Sequence, residues 1–309
     1  MHRILITGGG GSYGQALTRR LLAITEAEIC VYSRDEGKHA TMAAWVDTER
    51  VRFFIGDVRD RARLRLALRN VDTVVHAAAL KQVPAGEYNP TEFLATNVGG
   101  TENVLVEALE AGCEKVLVLS SDKASAPLTL YGTTKAAGEA LVRAFGAYSV
   151  DRTKFAAVRY GNVAGSRGSV IPIWREMISN GETRLPVTDS AMTRFWFTLD
   201  EAVDFSLWSL DAMRGGETFV PSLQGFRVID LAAAMDCDWR LSGIRASEKI
   251  AELLVSADEA PHFRRWQGRL VRFADGAEQG EALPLGFEMR SDRVPMLRVE
   301  QLREKLKDV

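Results

Sequence analysis

The chain opens with a short apolar run at 4–7, the segment Gly8-Gly9-Gly10-Gly11-Ser12-Tyr13-Gly14, and a helical pattern over 15–24. No other stretch restricts the fold as strongly. Strand, glycine turn and helix in that order make the first βα unit of a parallel sheet. Gly8 and Gly11 let backbone without Cβ approach a pyrophosphate at the helix N-terminus, where free amides and the macrodipole favour an anion. Gly14 permits close helix–strand contact. A plain flexible turn is the alternative for a glycine run taken alone.

The alternation continues. Apolar runs at 28–32, 51–55, 72–76, 116–119 and 155–160 read as strands, and the patterns at 61–68, 90–111 and 136–147 read as helices. Short connections between alternating elements predict an α/β fold with a Rossmann-like, doubly wound parallel sheet. After Tyr160 the pattern changes to a glycine-rich loop over 161–169. Helices are expected at 170–179, 202–213 and 229–235, a strand at 217–220, and a helix running to Val255 from the turn at 243–249. From Asp258 the chain is Arg-rich and weakly patterned. The expected organisation is a dinucleotide-binding domain over 1–165, with contributions from about 190–235. A smaller C-terminal substrate-binding lobe comes from 166–189 and 236–309, with the cleft between.

The ends of the strands carry the polar residues. Ser33 stands where an acid would take a ribose 2′-hydroxyl, and Arg34 follows it, with Lys38 beyond. A guanidinium can pair bidentately with a 2′-phosphate, which favours NADP; the alternative is that Asp35 reaches the ribose and Arg34 is solvated, which favours NAD. Asp57 is placed to accept from an adenine amine, with Val58 against the ring, and Asp60 reads as a helix N-cap. Ala77, Ala78 and Ala79 leave room for cofactor backbone. His76, before its strand end, reads as packed. Asn97 falls mid-helix, where a structural bridge competes with a direct catalytic role.

Sixteen residues after the strand at 116–119 read Ser-Ser-Asp-Lys-Ala-Ser-Ala-Pro-Leu-Thr-Leu-Tyr-Gly-Thr-Thr-Lys, from Ser120 to Lys135. Asp122, Lys123, Tyr131 and Lys135 thus lie at or past the carboxyl end of a strand, where open α/β sheets place their chemistry. Tyr131 and Lys135 share a helix face one turn apart. An ammonium there is expected to favour the phenolate, and Ser121 or Ser120 to orient a substrate hydroxyl. Asp122–Lys123 as an ordinary surface ion pair is the plainer reading. Arg167 and nearby amides read as a second anion site, and Arg194 lies among aromatics; both could instead bridge the lobes.

Nearly equal numbers of basic and acidic residues, 39 against 41, give no electrostatic case for nucleic acid or an anionic membrane. Cys30, Cys113 and Cys237 have no metal spacing and the four histidines form no cluster, so no metal is expected. No apolar run approaches the roughly 18 residues of a membrane span. Strand-like sequence begins by Arg3, which leaves no room for a signal peptide, so a soluble, cytoplasmic protein is expected.

The glycine loop with Tyr131 and Lys135 resembles the extended short-chain dehydrogenase/reductase superfamily. Longer matches narrow it: Tyr32-Ser33-Arg34-Asp35-Glu36, Gly56-Asp57-Val58-Arg59-Asp60, His76-Ala77-Ala78-Ala79-Leu80-Lys81, Ser121-Asp122-Lys123-Ala124, Arg159-Tyr160-Gly161-Asn162-Val163, Gly165-Ser166-Arg167-Gly168-Ser169-Val170, Met192-Thr193-Arg194-Phe195-Trp196 and Gly215-Gly216-Glu217. Together, over roughly 3–255, they resemble the soluble UDP-N-acetylglucosamine 4,6-dehydratases (inverting) of pseudaminic acid and capsule-polysaccharide biosynthesis. The resemblance implies bound NADP, a nucleotide-sugar substrate and a homo-oligomer, dimer or higher.

It also implies roles. Tyr131, assisted by Lys135, takes the C4 hydroxyl proton as hydride passes to NADP⁺. Neutral Lys123 takes the C5 proton, protonated Asp122 protonates the leaving C6 hydroxyl, and hydride returns to C6. Lys123 then reprotonates C5 from the opposite face. Retaining relatives place Asp-Glu where this chain has Asp122-Lys123, so lysine favours inversion. The dinucleotide is expected on Gly8, Gly11, Ser12, Tyr13, Gly14, Ser33, Arg34, Lys38, Asp57, Val58, Ala77, Ala78, Ala79, Lys81, Asn97, Tyr131 and Lys135. The substrate is expected on Lys81, Asn162, Arg167, Ser169, Arg194 and Glu248. Thr129 replaces a usual asparagine, Ala246-Ser247 a usual Pro-Gly, and Ala251 a usual histidine, so the substrate-facing part departs from the family. A nucleotide-sugar epimerase on the same scaffold, or a catalytically silent NADP-binding regulator, are the competing functions.

Overall fold

The computed structural model describes residues 1–46, 49–149, 152–166, 168–244, 248–274 and 279–309. Six parallel strands form its centre: β1 (Arg3–Thr7), β2 (Glu28–Ser33), β3 (Val51–Ile55), β4 (Thr73–His76), β5 (Lys115–Leu119) and β6 (Lys154–Val158). They run in the order β3-β2-β1-β4-β5-β6, and Glu217–Val220 adds a seventh parallel strand beside β6. The order reverses between β1 and β4, and the carboxyl ends of the strands there open onto a cleft.

Alternation along β1 shows why the sheet is buried on both sides. Ile4 and Ile6 point into one apolar cluster with Leu17 and Leu21 of the helix Ser12–Ile24, while Leu5 points into another with Val104 and Leu105 of the helix Gly100–Glu110. A third cluster, built from Trp174, Leu185, Trp196, Phe226 and Leu231, is the core of the lobe over the cleft.

The C-terminal segment departs from expectation in two places. No helix runs to Val255: Leu253–Val255 is a strand, antiparallel to Met289–Arg290. Leu254 and Val255 are both fully buried, so this short run has no polar face whose period could separate strand from helix. The weakly patterned region after Asp258 folds into the antiparallel hairpin Phe263–Trp266 and Arg269–Arg272, which extends the central sheet beyond Glu217–Val220. These residues therefore lie in the sheet and not in the lobe where the 236–309 boundary puts them.

Arg159 joins the parts. Its guanidinium is 2% exposed and donates to Glu139 Oε1 at 2.9 Å and Oε2 at 2.6 Å, to Glu259 Oε1 at 2.8 Å, and to the Leu254 carbonyl at 2.8 Å. Removing the cation leaves two carboxylates without it, the case in which a broken buried pair is costly. Arg159→Met should therefore lower stability by about 3–5 kcal/mol, read as a fall in the urea unfolding midpoint. An unchanged midpoint would show that the network contributes only specificity.

Candidate active site

The cleft measures about 1100 Å³ and runs from the glycine loop to the lobe. At one end Gly8 has a φ of +67°, and a Cβ there would meet the Ala78 amide nitrogen at 2.8 Å. A Cβ at Gly14 would meet the Gly9 Cα at 2.4 Å. The loop can therefore lie flat against the turn after β4 only with glycine at these places. The helix Ser12–Ile24 begins at Gly11 without a side-chain cap, and its N-terminus, the end that favours an anion, lies on the cleft. Gly8, Gly11, Ser12, Tyr13, Gly14, Ser33, Arg34, Lys38, Asp57, Val58, Ala77, Ala78, Ala79 and Lys81 all line this part of the cleft. The cradle fits a dinucleotide by shape and by its donors.

At its adenosine end the polar side chains hold one another. Asp35 caps the helix Glu36–Ala43, accepting from the Lys38 amide at 3.0 Å, and pairs with Lys38 Nζ at 2.6 Å. Asp57 is gripped by Arg59 at 2.7 Å, with Arg34 at 3.7 Å. The Arg34 side chain is 55% exposed at the rim. Ser33 Oγ lies 2.7 Å from His39 Nε2.

Asn97 does not line the cleft. It lies in the π-helical turn Leu94–Gly99 and is buried. Its amide donates to the Leu80 carbonyl at 2.9 Å and to Thr134 Oγ1 at 3.0 Å, and its Oδ1 accepts from the Leu80 amide at 2.8 Å. It clamps the turn after β4 to the helix Leu130–Tyr148. Burial spends every polar atom of the side chain on protein, so the structure replaces the expected cofactor contact with a bridge. His76 is packed, between Thr7 Oγ1 at 2.7 Å and Thr101 Oγ1 at 3.1 Å.

At the other end stand Ser120, Ser121, Lys123 and Tyr131. Thr129 caps the helix Leu130–Tyr148 through the Gly132 amide at 3.1 Å, which puts Tyr131 in the first turn. Lys135, one turn on, is buried and donates to the Leu119 carbonyl. Burial pushes its amine down to about 8, against the pull of Glu139. Burial also raises the Tyr131 phenol, only partly offset by Lys123 and Ser121. The expected lowering of the phenol by Lys135 is thus not the resting state, because Lys135 turns to a carbonyl.

Asp122 and Lys123 are corrected too. Asp122 is 1% exposed and sits behind the cleft wall, accepting from Ser121 Oγ at 2.8 Å and Lys123 Nζ at 3.2 Å. Burial favours its neutral form, but Lys123, Ser121 and Glu252 together hold the carboxyl below its ordinary value. Burial would drive the Lys123 amine down, yet Asp122 and Glu252 outweigh it and raise it. With the cleft open the pair is ionised, not acid and neutral amine. Glu252 was not anticipated from sequence. Its carboxyl lies 3.9 Å from Lys123 Nζ and 3.4 Å from Arg194 Nε, and burial together with the Asp122 charge raises it to about 7. An acid inside the apolar run 250–255 was the available signal.

Of the substrate residues, Lys81, Asn162, Ser169, Arg194 and Glu248 line the cleft. Arg167 lies outside the described residues. Arg194 is engaged by the protein, donating to the Thr193 and Lys249 carbonyls at 2.7 and 3.1 Å. Among the described residues no cluster of His, Cys, Asp or Glu could hold a metal, and no helix is long and apolar enough to cross a membrane.

The strand order, the glycine cradle and the Tyr131–Lys135 helix at the strand ends define an extended short-chain dehydrogenase/reductase. The chain belongs to the polysaccharide biosynthesis protein family, which matches residues 4–270. It is 42% identical over 311 residues to a UDP-N-acetylglucosamine 4,6-dehydratase (inverting) of Campylobacter jejuni, covering 95% of this chain and 93% of that protein. A UDP-glucose 4-epimerase of Rickettsia bellii is 37% identical, over 98% of this chain and 94% of its own length. Among solved structures, the dTDP-glucose 4,6-dehydratase DesIV of Streptomyces venezuelae, with NAD bound, superposes with a TM-score of 0.71 at 26% identity, covering 80% of this chain and 86% of that one.

The buried histidine yields a pH prediction. Burial pushes His76 down to about 3, whereas an unfolded histidine titrates near 6.5. Between these values only the unfolded chain binds the proton, so stability falls as pH drops below about 6.5. His76→Asn should flatten the dependence of unfolding free energy on pH by up to about 1.4 kcal/mol per pH unit over that window, measured by urea titration at several pH values.

Proposed function

We propose that this protein is an NADP-dependent nucleotide-sugar 4,6-dehydratase that inverts C5, acting on UDP-N-acetylglucosamine or a close relative. One observation carries the reading: Lys123 Nζ stands at the cleft wall beside Tyr131, hydrogen-bonded at 3.2 Å to a buried Asp122. The 42% identity to an inverting dehydratase over nearly the whole chain supports it.

A nicotinamide dinucleotide in the glycine cradle would accept hydride from C4 and return it to C6. Tyr131, as phenolate, takes the C4 hydroxyl proton; the Lys135 ammonium lies one turn away on the same helix. The C4 ketone acidifies C5–H. A sugar covering Lys123, whose side chain is 26% exposed in the open cleft, removes water from the ammonium and favours the neutral amine that can take the C5 proton. Asp122 supplies the proton for the leaving C6 oxygen through the Ser121 hydroxyl, which lines the cleft and donates to Asp122 Oδ1 at 2.8 Å. Inversion follows when the proton returns to the face of C5 opposite the one from which Lys123 took it.

NADP is preferred over NAD because Asp35, the residue that would otherwise reach a ribose, is occupied as a helix cap, while Arg34 is exposed at the rim. The functional unit is a homo-oligomer in the cytoplasm. The identity to an epimerase favours a second reading, C4 epimerisation, which needs neither a base at C5 nor an acid at C6.

With UDP-N-acetylglucosamine in deuterated water, the product should lose one water and carry solvent deuterium at C5. A product of unchanged mass, inverted only at C4, selects the epimerase. Lys123→Ala should cut water loss by about 10²- to 10⁴-fold with the cofactor still bound. Arg34→Ala should weaken NADP binding and leave NAD binding nearly unchanged, as read by calorimetric titration.

A further inference from the structure

The proton chemistry described so far leaves one difficulty. An aspartate beside an ammonium holds its proton poorly, yet Asp122 must be an acid at neutral pH. The structure places a second buried carboxyl against it. Glu252 follows the cleft wall from behind, with its amide fixed by Ser291 Oγ at 3.0 Å. Lys123 Nζ joins the two carboxyls, 3.2 Å from Asp122 and 3.9 Å from Glu252, and Lys123 and Arg194 are the charged groups that face Glu252 from the neighbouring elements.

We propose that Glu252 is a positioning residue that keeps one proton on the Asp122–Glu252 carboxyl pair, and that a relay through Tyr131, Ser121 and Asp122 carries that proton out to the C6 oxygen and back. The proposal rests on the dehydratase reading. Two neighbouring buried carboxyls cannot both ionise without mutual repulsion, so the pair retains a proton that Asp122 alone would lose. Burial and the Asp122 charge raise Glu252 to about 7, in agreement with this arrangement.

The step balances. When neutral Lys123 takes the C5 proton, the C5–H electrons form the C5=C6 bond. The C6–O bond breaks, and its oxygen leaves as water with the proton of the pair, delivered by Asp122 through Ser121. The pair is then doubly ionised while Lys123 has become an ammonium, 3.2 Å from Asp122 and 3.9 Å from Glu252, and Arg194 flanks Glu252 at 3.4 Å. Lys123 next gives its proton to C5, on the face opposite the one it left, as the hydride removed from C4 returns to C6. The phenol of Tyr131 still holds the proton taken from the C4 hydroxyl. Ser121, which lines the cleft with Tyr131 and donates to Asp122 Oδ1 at 2.8 Å, returns it to the pair. The proton gained at C4 replaces the one lost at C6.

The test compares Glu252→Gln with Glu252→Asp, following C5 deuterium exchange and water loss separately by mass spectrometry. Glutamine preserves shape and a hydrogen bond but shares no proton; aspartate preserves the carboxyl at the cost of length. Expected is a fall of about 10²-fold in water loss for Glu252→Gln with C5 exchange retained, and a recovery of at least about tenfold for Glu252→Asp. Water loss in the wild type should decline above pH about 7, where the pair gives up its proton, and in Glu252→Gln this decline should move to lower pH. A residue with only a packing role gives the reverse order, glutamine better than aspartate, with the pH profile unmoved, and that result overturns the proposal. A wild-type protein that loses no water from any nucleotide sugar removes the dehydratase reading and the proposal with it.

Discussion

The buried Arg159 guanidinium is the constraint on which the site depends. Glu139 answers it from the helix that carries Tyr131 and Lys135, and Glu259 answers it from the C-terminal segment. Both carboxylates then take a second partner in the reactive stretch: Ser120 Oγ donates to Glu139 at 2.5 Å and Ser125 Oγ to Glu259 at 2.5 Å. The short segment bearing Asp122 and Lys123 is therefore held at each end by the same ionic network. Arg159 also binds the Leu254 carbonyl, two residues from Glu252. One desolvated charge thus fixes the distance between Asp122 and Glu252, which no contact within the reactive stretch could do.

The same burial governs the chemistry. Desolvation acts on every titratable group here, and the outcome differs only through partners. Lys135 has one carboxylate in its field and falls to about 8, whereas Lys123 faces two and rises. Lysines twelve residues apart in one active site are therefore prepared differently: Lys135 releases its proton near neutrality, and Lys123 does so only when the site around it changes. Covering the cleft changes it, since the lysine amine keeps its charge partly through its exposed quarter. Coupling substrate binding to activation of the base protects C5 chemistry from running without a substrate in place.

Much of this was legible in sequence, for a definite reason. Parallel strands β1, β2, β4, β5 and β6 read clearly because burial on both faces makes them nearly continuous apolar runs. Tyr131 and Lys135 followed from helical spacing and strand position. What was illegible depended on contacts distant in sequence. The hairpin 263–272 has no apolar period of its own and becomes a sheet edge only by pairing with Glu217–Val220. Glu252 lies 130 positions from Asp122 in a run whose three-residue strand imitates a buried helical turn. Ionisation states were the least readable: the expectation of a neutral Lys123 and an acidic Asp122 could not count Glu252.

The departures from the family pattern also take on physical meaning. Thr129 serves as the N-cap of the Tyr131 helix, and threonine and asparagine both do this through a side-chain oxygen, so the change leaves the position of Tyr131 intact. Ala251 is different. It forms a bridge with Thr193, between Arg194 and Glu252 in sequence terms, and its methyl group stands where a larger polar side chain is usual. Thr193 in turn is hydrogen-bonded to Ser291, whose hydroxyl accepts from the Glu252 amide, so the bridge at Ala251 belongs to the frame that seats Glu252 behind the cleft wall.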